Sequence, residues 1–123
     1  MKLSLRTEPI DEKAHTANYE ISNREVSVSE ALSFLNRLVS QDTMLYLETP
    51  QCTVDIWKFE GAFWVEIYRA DFWATSEVSE LEARAIIEIA ERDSCFGNNI
   101  PTSNREWDAY ALIGEATDSG GIT

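Results

Sequence analysis

The stretch Cys52–Arg69, CTVDIWKFEGAFWVEIYR, decides the fold. Two runs alternate apolar and polar residues, CTVDIWKF and AFWVEIYR, and only Glu60 and Gly61 separate them. Alternation of this kind marks strands, and a two-residue link ending in glycine marks a tight hairpin. Such a turn dictates pairing: Phe59 with Ala62, Trp57 with Trp64, Ile56 with Val65, Asp55 with Glu66 and Val54 with Ile67. Side chains alternate faces along a strand. One face of the hairpin therefore carries Cys52, Val54, Ile56, Phe63, Val65 and Ile67, and is the expected core face. The other carries Asp55, Trp57, Phe59, Trp64, Glu66 and Tyr68, with Lys58 and Arg69 pointing away from it.

The flanking sequence extends this picture. MLYLET, ending before Pro50, reads as a preceding strand that adds Leu45 and Leu47 to the core face and Tyr46 and Glu48 to the other. SVSEALSFLNRLV reads as a helix. Ser27 and Glu30 have capping-box spacing, in which each side chain satisfies an orphan backbone donor of the other residue. Val28, Ala31, Leu32, Leu35, Leu38 and Val39 recur at helical spacing, with Phe34 beside them. SELEARAIIEIAERD reads as a second helix, capped by Ser79 and Glu82, with Leu81, Ala85, Ile86, Ile89 and Ala90 facing inward. Glu80, Glu82, Glu88 and Glu91 form its solvated face.

Elsewhere the reading is coarser. LSL and ANYEI near the N-terminus are candidate short strands, and ADFWATS either extends the sheet or turns away from it. CFGNNIPTSN reads as a loop and EWDAYALI as a final strand. The expected fold class is α+β: an antiparallel β-sheet of about four to six strands with two amphipathic helices packed on one face. A chain of 123 residues is expected to form a single domain over 1–123, with about 114–123 a mobile tail.

The formal net charge of −12 at pH 7 argues against nucleic acid or an anionic membrane as partner, because phosphates repel it. It favours a basic protein partner. No signal-peptide core is evident, and no stretch approaches the ~20 apolar residues of a membrane span, so a cytoplasmic location is expected. In that reducing setting Cys52 and Cys95 are expected to be free thiols. Their spacing fits no zinc pattern, and His15 is the chain's single histidine, so no metal and no cofactor are expected.

No phosphate-binding loop or nucleophile elbow occurs, and no catalytic residues are assigned. Asp55 and Glu66 would face each other as like charges, at a cost of up to about 1 kcal/mol, with no Lys or Arg on these strands placed to neutralise them, since Lys58 and Arg69 point the other way. A carboxylate pair of this kind could serve acid–base hydrolysis or bind a divalent cation, although no further ligands fall at loop spacing. Large rings interleaved with carboxylates suit a protein interface better. The candidate partner-binding residues are Tyr46, Glu48, Asp55, Trp57, Phe59, Trp64, Glu66 and Tyr68. Covering of this face by the N-terminal segment or the DFW stretch is the competing, purely structural outcome.

From VSVSEALSFLNRL through the hairpin to SELEARAIIEIAERD and REWDAY, in element order and composition, the chain resembles the immunity proteins of bacterial polymorphic-toxin and contact-dependent-inhibition systems. The DSCFGNNIPTSN loop departs from that pattern. The resemblance implies a non-enzymatic protein that blocks a basic toxin. Steering by the −12 charge would precede anchoring by Trp57, Trp64 and Tyr46, with Asp55 and Glu66 occupying a cationic site. A secretion-chaperone-like effector-binding protein is the alternative within the binding class. Homodimerisation would favour the chaperone, and a monomer the immunity protein. A small hydrolase using Asp55 and Glu66 is the alternative from another class.

Overall fold

The structure, a computed structural model, describes residues 1–7, 13, 19–38, 43–50, 52–69 and 72–92, with backbone alone at 72, 73, 91 and 92. Six strands are present: β1 (Lys2–Arg6), β2 (Tyr19–Glu25), β3 (Met44–Glu48), β4 (Cys52–Phe59), β5 (Ala62–Arg69) and β6 (Phe72–Val78). They form one antiparallel sheet in the order β2-β1-β3-β4-β5-β6. Helix α1 (Val28–Ser33) lies between β2 and β3 in the chain, and α2 (Glu80–Arg92) follows β6. The architecture is therefore α+β with an antiparallel sheet.

The hairpin is in the register its turn dictates. Trp57 pairs with Trp64, Asp55 with Glu66 and Phe59 with Ala62. Both turn residues have positive φ, +51° at Glu60 and +81° at Gly61, which is the requirement of the turn that matches strand twist. Glycine meets it freely, and Glu60 is held there despite its Cβ.

Alternation then sorts the side chains. Leu3, Leu5, Leu45, Leu47, Val54, Ile56, Val65, Ile67 and Ala74 are fully buried. They form one cluster with Ala31, Leu35 and Leu38 of the first helical region and with Ala83, Ile86, Ile87, Ile89 and Ala90 of α2. Helix α2 touches β4, β5 and α1. Each Å² of apolar surface that such burial removes from water stabilises the packed cluster by about 25 cal/mol.

The two capping boxes are present. The Glu30 amide donates to Ser27 Oγ at 3.1 Å, and the Ser27 amide to Glu30 Oε1 at 3.4 Å. The Glu82 amide donates to Ser79 Oγ at 3.1 Å, and the Ser79 amide to Glu82 Oε1 at 3.0 Å. The first helix is shorter than its pattern suggests: α1 stops at Ser33 and a 3-10 turn, Phe34–Arg37, continues it. Phe34 is clasped by two guanidinium groups, Arg24 at 5.7 Å and Arg37 at 5.9 Å from its ring centre.

Leu81 departs from expectation. It is 74% exposed, while Ala83 and Ile87 are fully buried. With about 100° per residue, the buried stripe centres on 83, 86, 87 and 90, and Leu81 lies about 180° away. The N-terminal candidates are both strands. β1 lies inside the sheet between β2 and β3, and β2 is the edge. β2 is blunted by register shifts against β1 and by charged residues along its length. Of the ADFWATS stretch, the described part from Phe72 on extends the sheet as β6 instead of turning away.

Cys52 is also corrected. It is buried and disulfide-bonded, not a free thiol. Cys95, the chain's other cysteine, lies outside the described residues. The final strand expected at EWDAYALI, the 114–123 tail, the CFGNNIPTSN loop, Val39 and His15 also fall outside the described residues. Among the described residues no helix is long and apolar enough to cross a membrane.

Candidate acidic and aromatic sheet face

Successive pairings across β1, β3, β4, β5 and β6 build rows on the face opposite the Leu and Val cluster. One row runs Ser4, Tyr46, Asp55, Glu66, Thr75. The next runs Arg6, Met44, Trp57, Trp64, Glu77. A third begins Lys2, Glu48, Thr53, Tyr68. All eight sequence candidates, Tyr46, Glu48, Asp55, Trp57, Phe59, Trp64, Glu66 and Tyr68, thus share one surface.

The aromatic residues are arranged in two groups. Trp57 and Trp64 stack with ring centres 6.5 Å apart and an interplanar angle of 14°. Such a pair contributes about 0.5–1.5 kcal/mol beyond the area it buries. Tyr46 meets Tyr19 of β2 edge to face at 5.9 Å. Tyr46 also walls a surface depression of about 230 Å³ with Lys2, Ser4, Tyr19 and Glu48. Phe59 and Tyr68 are each 42% exposed, which is unusual for rings of this size.

The face is not uniformly open. Tyr46, Asp55, Trp57, Trp64 and Glu66 are partly buried. Burial has electrostatic consequences because it disfavours the charged form of an acid. Burial first, and the facing Glu66 second, push the Asp55 carboxyl from an ordinary 3.8 up to about 7. Its Oδ1 is shielded from solvent and has no hydrogen-bond partner among the described residues. Glu66 is better served: the Tyr68 hydroxyl donates to its Oε1 at 2.7 Å. Burial also raises the Tyr46 phenol, opposed by the Arg6 guanidinium through its charge and a hydrogen bond to the phenol.

Arg6 is the residue that sequence reasoning missed. It is 6% exposed and lies on the same face as the carboxylates. Its signal was the LSL alternation. The pattern shows a strand there but not its neighbour, so the β1–β3 pairing was illegible. The guanidinium serves Tyr46 and is not among the influences on Asp55. The like-charge pairing of Asp55 with Glu66 persists.

Among the described residues no group of three His, Cys, Asp or Glu side chains could hold a metal ion. Two facing carboxylates fall short of the six to eight oxygens that Ca²⁺ takes. What the face offers is apolar ring surface for contact and negative charge for attraction. Compared with protein-family models, curated proteins and solved structures, the chain matches none.

Proposed function

We propose that this chain is a non-enzymatic protein-binding module, and specifically an immunity protein that binds and blocks a basic toxin in the cytoplasm. Buried residues of both helical regions share one cluster with the Leu and Val side chains of the sheet, and on our reading the helices pack on that face and leave the acidic and aromatic face to the partner. The observation that carries the reading is the side-by-side arrangement of the stacked Trp57–Trp64 pair and the facing Asp55 and Glu66 carboxylates on that face. Aromatic residues with two rotatable side-chain bonds make efficient anchors, and acidic side chains beside them favour a cationic partner. The net charge of −12 steers a basic protein toward the molecule and raises its association rate.

The test is co-purification from the native host, comparing wild type with the Trp57→Ala/Asp55→Lys double variant. The expected result is one basic protein whose toxicity wild type suppresses, retained by wild type and lost by the variant with its circular dichroism unchanged. Should the double variant unfold, Phe59→Ala/Tyr68→Ala removes exposed rings from the same face. A partner held equally by all forms overturns the reading.

One observation favours a second reading, a carboxylate-based hydrolase. Asp55 keeps its proton to about pH 7 opposite Glu66, the division of labour that acid–base hydrolysis uses. Hydrolytic activity lost in folded Asp55→Asn would decide for it.

A further inference from the structure

We propose that the depression walled by β2, β1 and β3 binds a free α-amino acid with an apolar side chain, taken up as its zwitterion. The depression lies on the acidic and aromatic face, but the proposal does not rest on the docking-face reading. Its volume of about 230 Å³ falls below the ~300–1,000 Å³ of pockets for drug-sized ligands and suits a single amino acid.

Two charges of opposite sign border it, Lys2 and Glu48. They are directly paired across β1 and β3, which brings their Cβ atoms to about 4.5–5.5 Å. Opposite charges so placed are well positioned to join. Here neither side chain has an ion-pair or hydrogen-bond partner among the described residues. Glu25 faces Lys2 from β2, but its carboxylate takes the N-terminal ammonium at 2.9 Å. Thr53, which faces Glu48 from β4, carries no charge. A simple cation drawn to Glu48 would be repelled by Lys2, and a simple anion drawn to Lys2 would be repelled by Glu48. A zwitterion satisfies both, with its carboxylate accepting from the Lys2 ammonium and its own ammonium donating to the Glu48 carboxylate.

The other walls are fixed before a ligand arrives. The Tyr46 ring is held edge to face against Tyr19 at 5.9 Å, and its phenol is hydrogen-bonded by the Arg6 guanidinium. Tyr19 is 45% exposed, which leaves ring surface for an apolar side chain. Beneath the rings the β1–β2 ladder shifts register. Asn23 there takes a φ of +49°, and its amide donates to Ser4 Oγ at 2.9 Å. Irregularities of this kind bend a strand and re-aim its side chains, and this one borders the depression. Groups already held in place lose little freedom on binding.

The test titrates L-phenylalanine into the ¹⁵N-labelled full chain. N-acetyl-L-phenylalanine, which lacks the ammonium, and L-phenylalaninamide, which lacks the carboxylate, are the comparison ligands. The expected result is amide shifts centred on Ser4, Ser22, Asn23 and Thr53, with L-phenylalanine binding at about 1 mM or tighter and each comparison ligand about tenfold more weakly. Lys2 and Glu48 are exposed, so Lys2→Gln and Glu48→Gln keep the fold. Lys2→Gln weakens L-phenylalanine by about tenfold and leaves the amide unchanged; Glu48→Gln weakens L-phenylalanine by about tenfold and leaves the N-acetyl compound unchanged. Tyr19→Ala weakens all three ligands. Absence of shifts at about 10 mM L-phenylalanine, or shifts centred away from these strands, overturns the proposal. Equal binding of the three ligands overturns it too, as does a Lys2→Gln loss as large for the amide as for L-phenylalanine.

Discussion

The two faces of β4 and β5 are made by the same sixteen residues and behave in opposite ways. On one face Val54, Ile56, Val65 and Ile67 are fully buried. On the other, two residues away along the chain at most, Asp55 and Glu66 face each other as like charges and Phe59 and Tyr68 are exposed. The first face is what stability alone selects: apolar, branched and closely packed. The second contains features that stability disfavours, a paired carboxylate repulsion and a shielded acid whose Oδ1 lacks a donor among the described residues. Departures from local stability rules concentrate where a protein does its work.

The contrast can be broken most forcefully from the buried side. Ile56→Ala should lower unfolding free energy by about 3 kcal/mol, while Phe59→Ala, three residues on and exposed, should cost less than about 1 kcal/mol. Urea denaturation of both variants measures the difference. Equal losses would mean that the outer face is a second core and not a surface for a partner.

Asp55 sharpens the comparison through pH. Its carboxyl titrates at about 7 in the folded protein and near 3.8 when exposed, so folding favours the protonated form. The associated stability is fully present below about pH 3.8 and is lost as pH rises through about 7. At about 1.4 kcal/mol per unit the shift would amount to about 4 kcal/mol, which solvent screening of a partly exposed group reduces to about 1–3 kcal/mol. Asp55→Asn should therefore raise stability by that amount at pH 8 and change little at pH 4. Melting temperatures across this range check it. A variant equally stable to wild type at pH 8 would show that the carboxyl is well solvated.

The smallest effect concerns the turn that assigns residues to faces. Glu60 holds φ at +51°, a region that asparagine enters more readily. Glu60→Asn should stabilise the hairpin by less than about 1 kcal/mol, read as a rise in melting temperature. Destabilisation would show that the Glu60 side chain supports the turn in another way.

The hairpin and its faces were legible because their information is local. A two-residue turn leaves one register, and a period of two then assigns each side chain from Cys52 to Arg69. Both capping boxes were legible for the same reason, each being complete within four residues. The α2 stripe was less so: Leu81, Ala85 and Ile89 also recur at helical spacing, and choosing between two adjacent apolar stripes requires knowing where the sheet lies. Arg6 was illegible because strand alternation names a strand without naming its neighbour.

By itself, then, the amino-acid order determined the turn, the hairpin register, the helix starts and the alternation that makes one face apolar and the other acidic and aromatic. These depend on contacts between residues close in sequence, where few geometries compete. Only the tertiary structure decided that β1 enters the sheet between β2 and β3, that Arg6 binds Tyr46, that Leu81 faces solvent and that Cys52 is disulfide-bonded. It also decided how far Asp55 is withdrawn from water, and so the value of about 7 at which its proton leaves. Each depends on elements distant in the chain closing on one another, and the free energy of that closure belongs to the packed core, not to any local pattern.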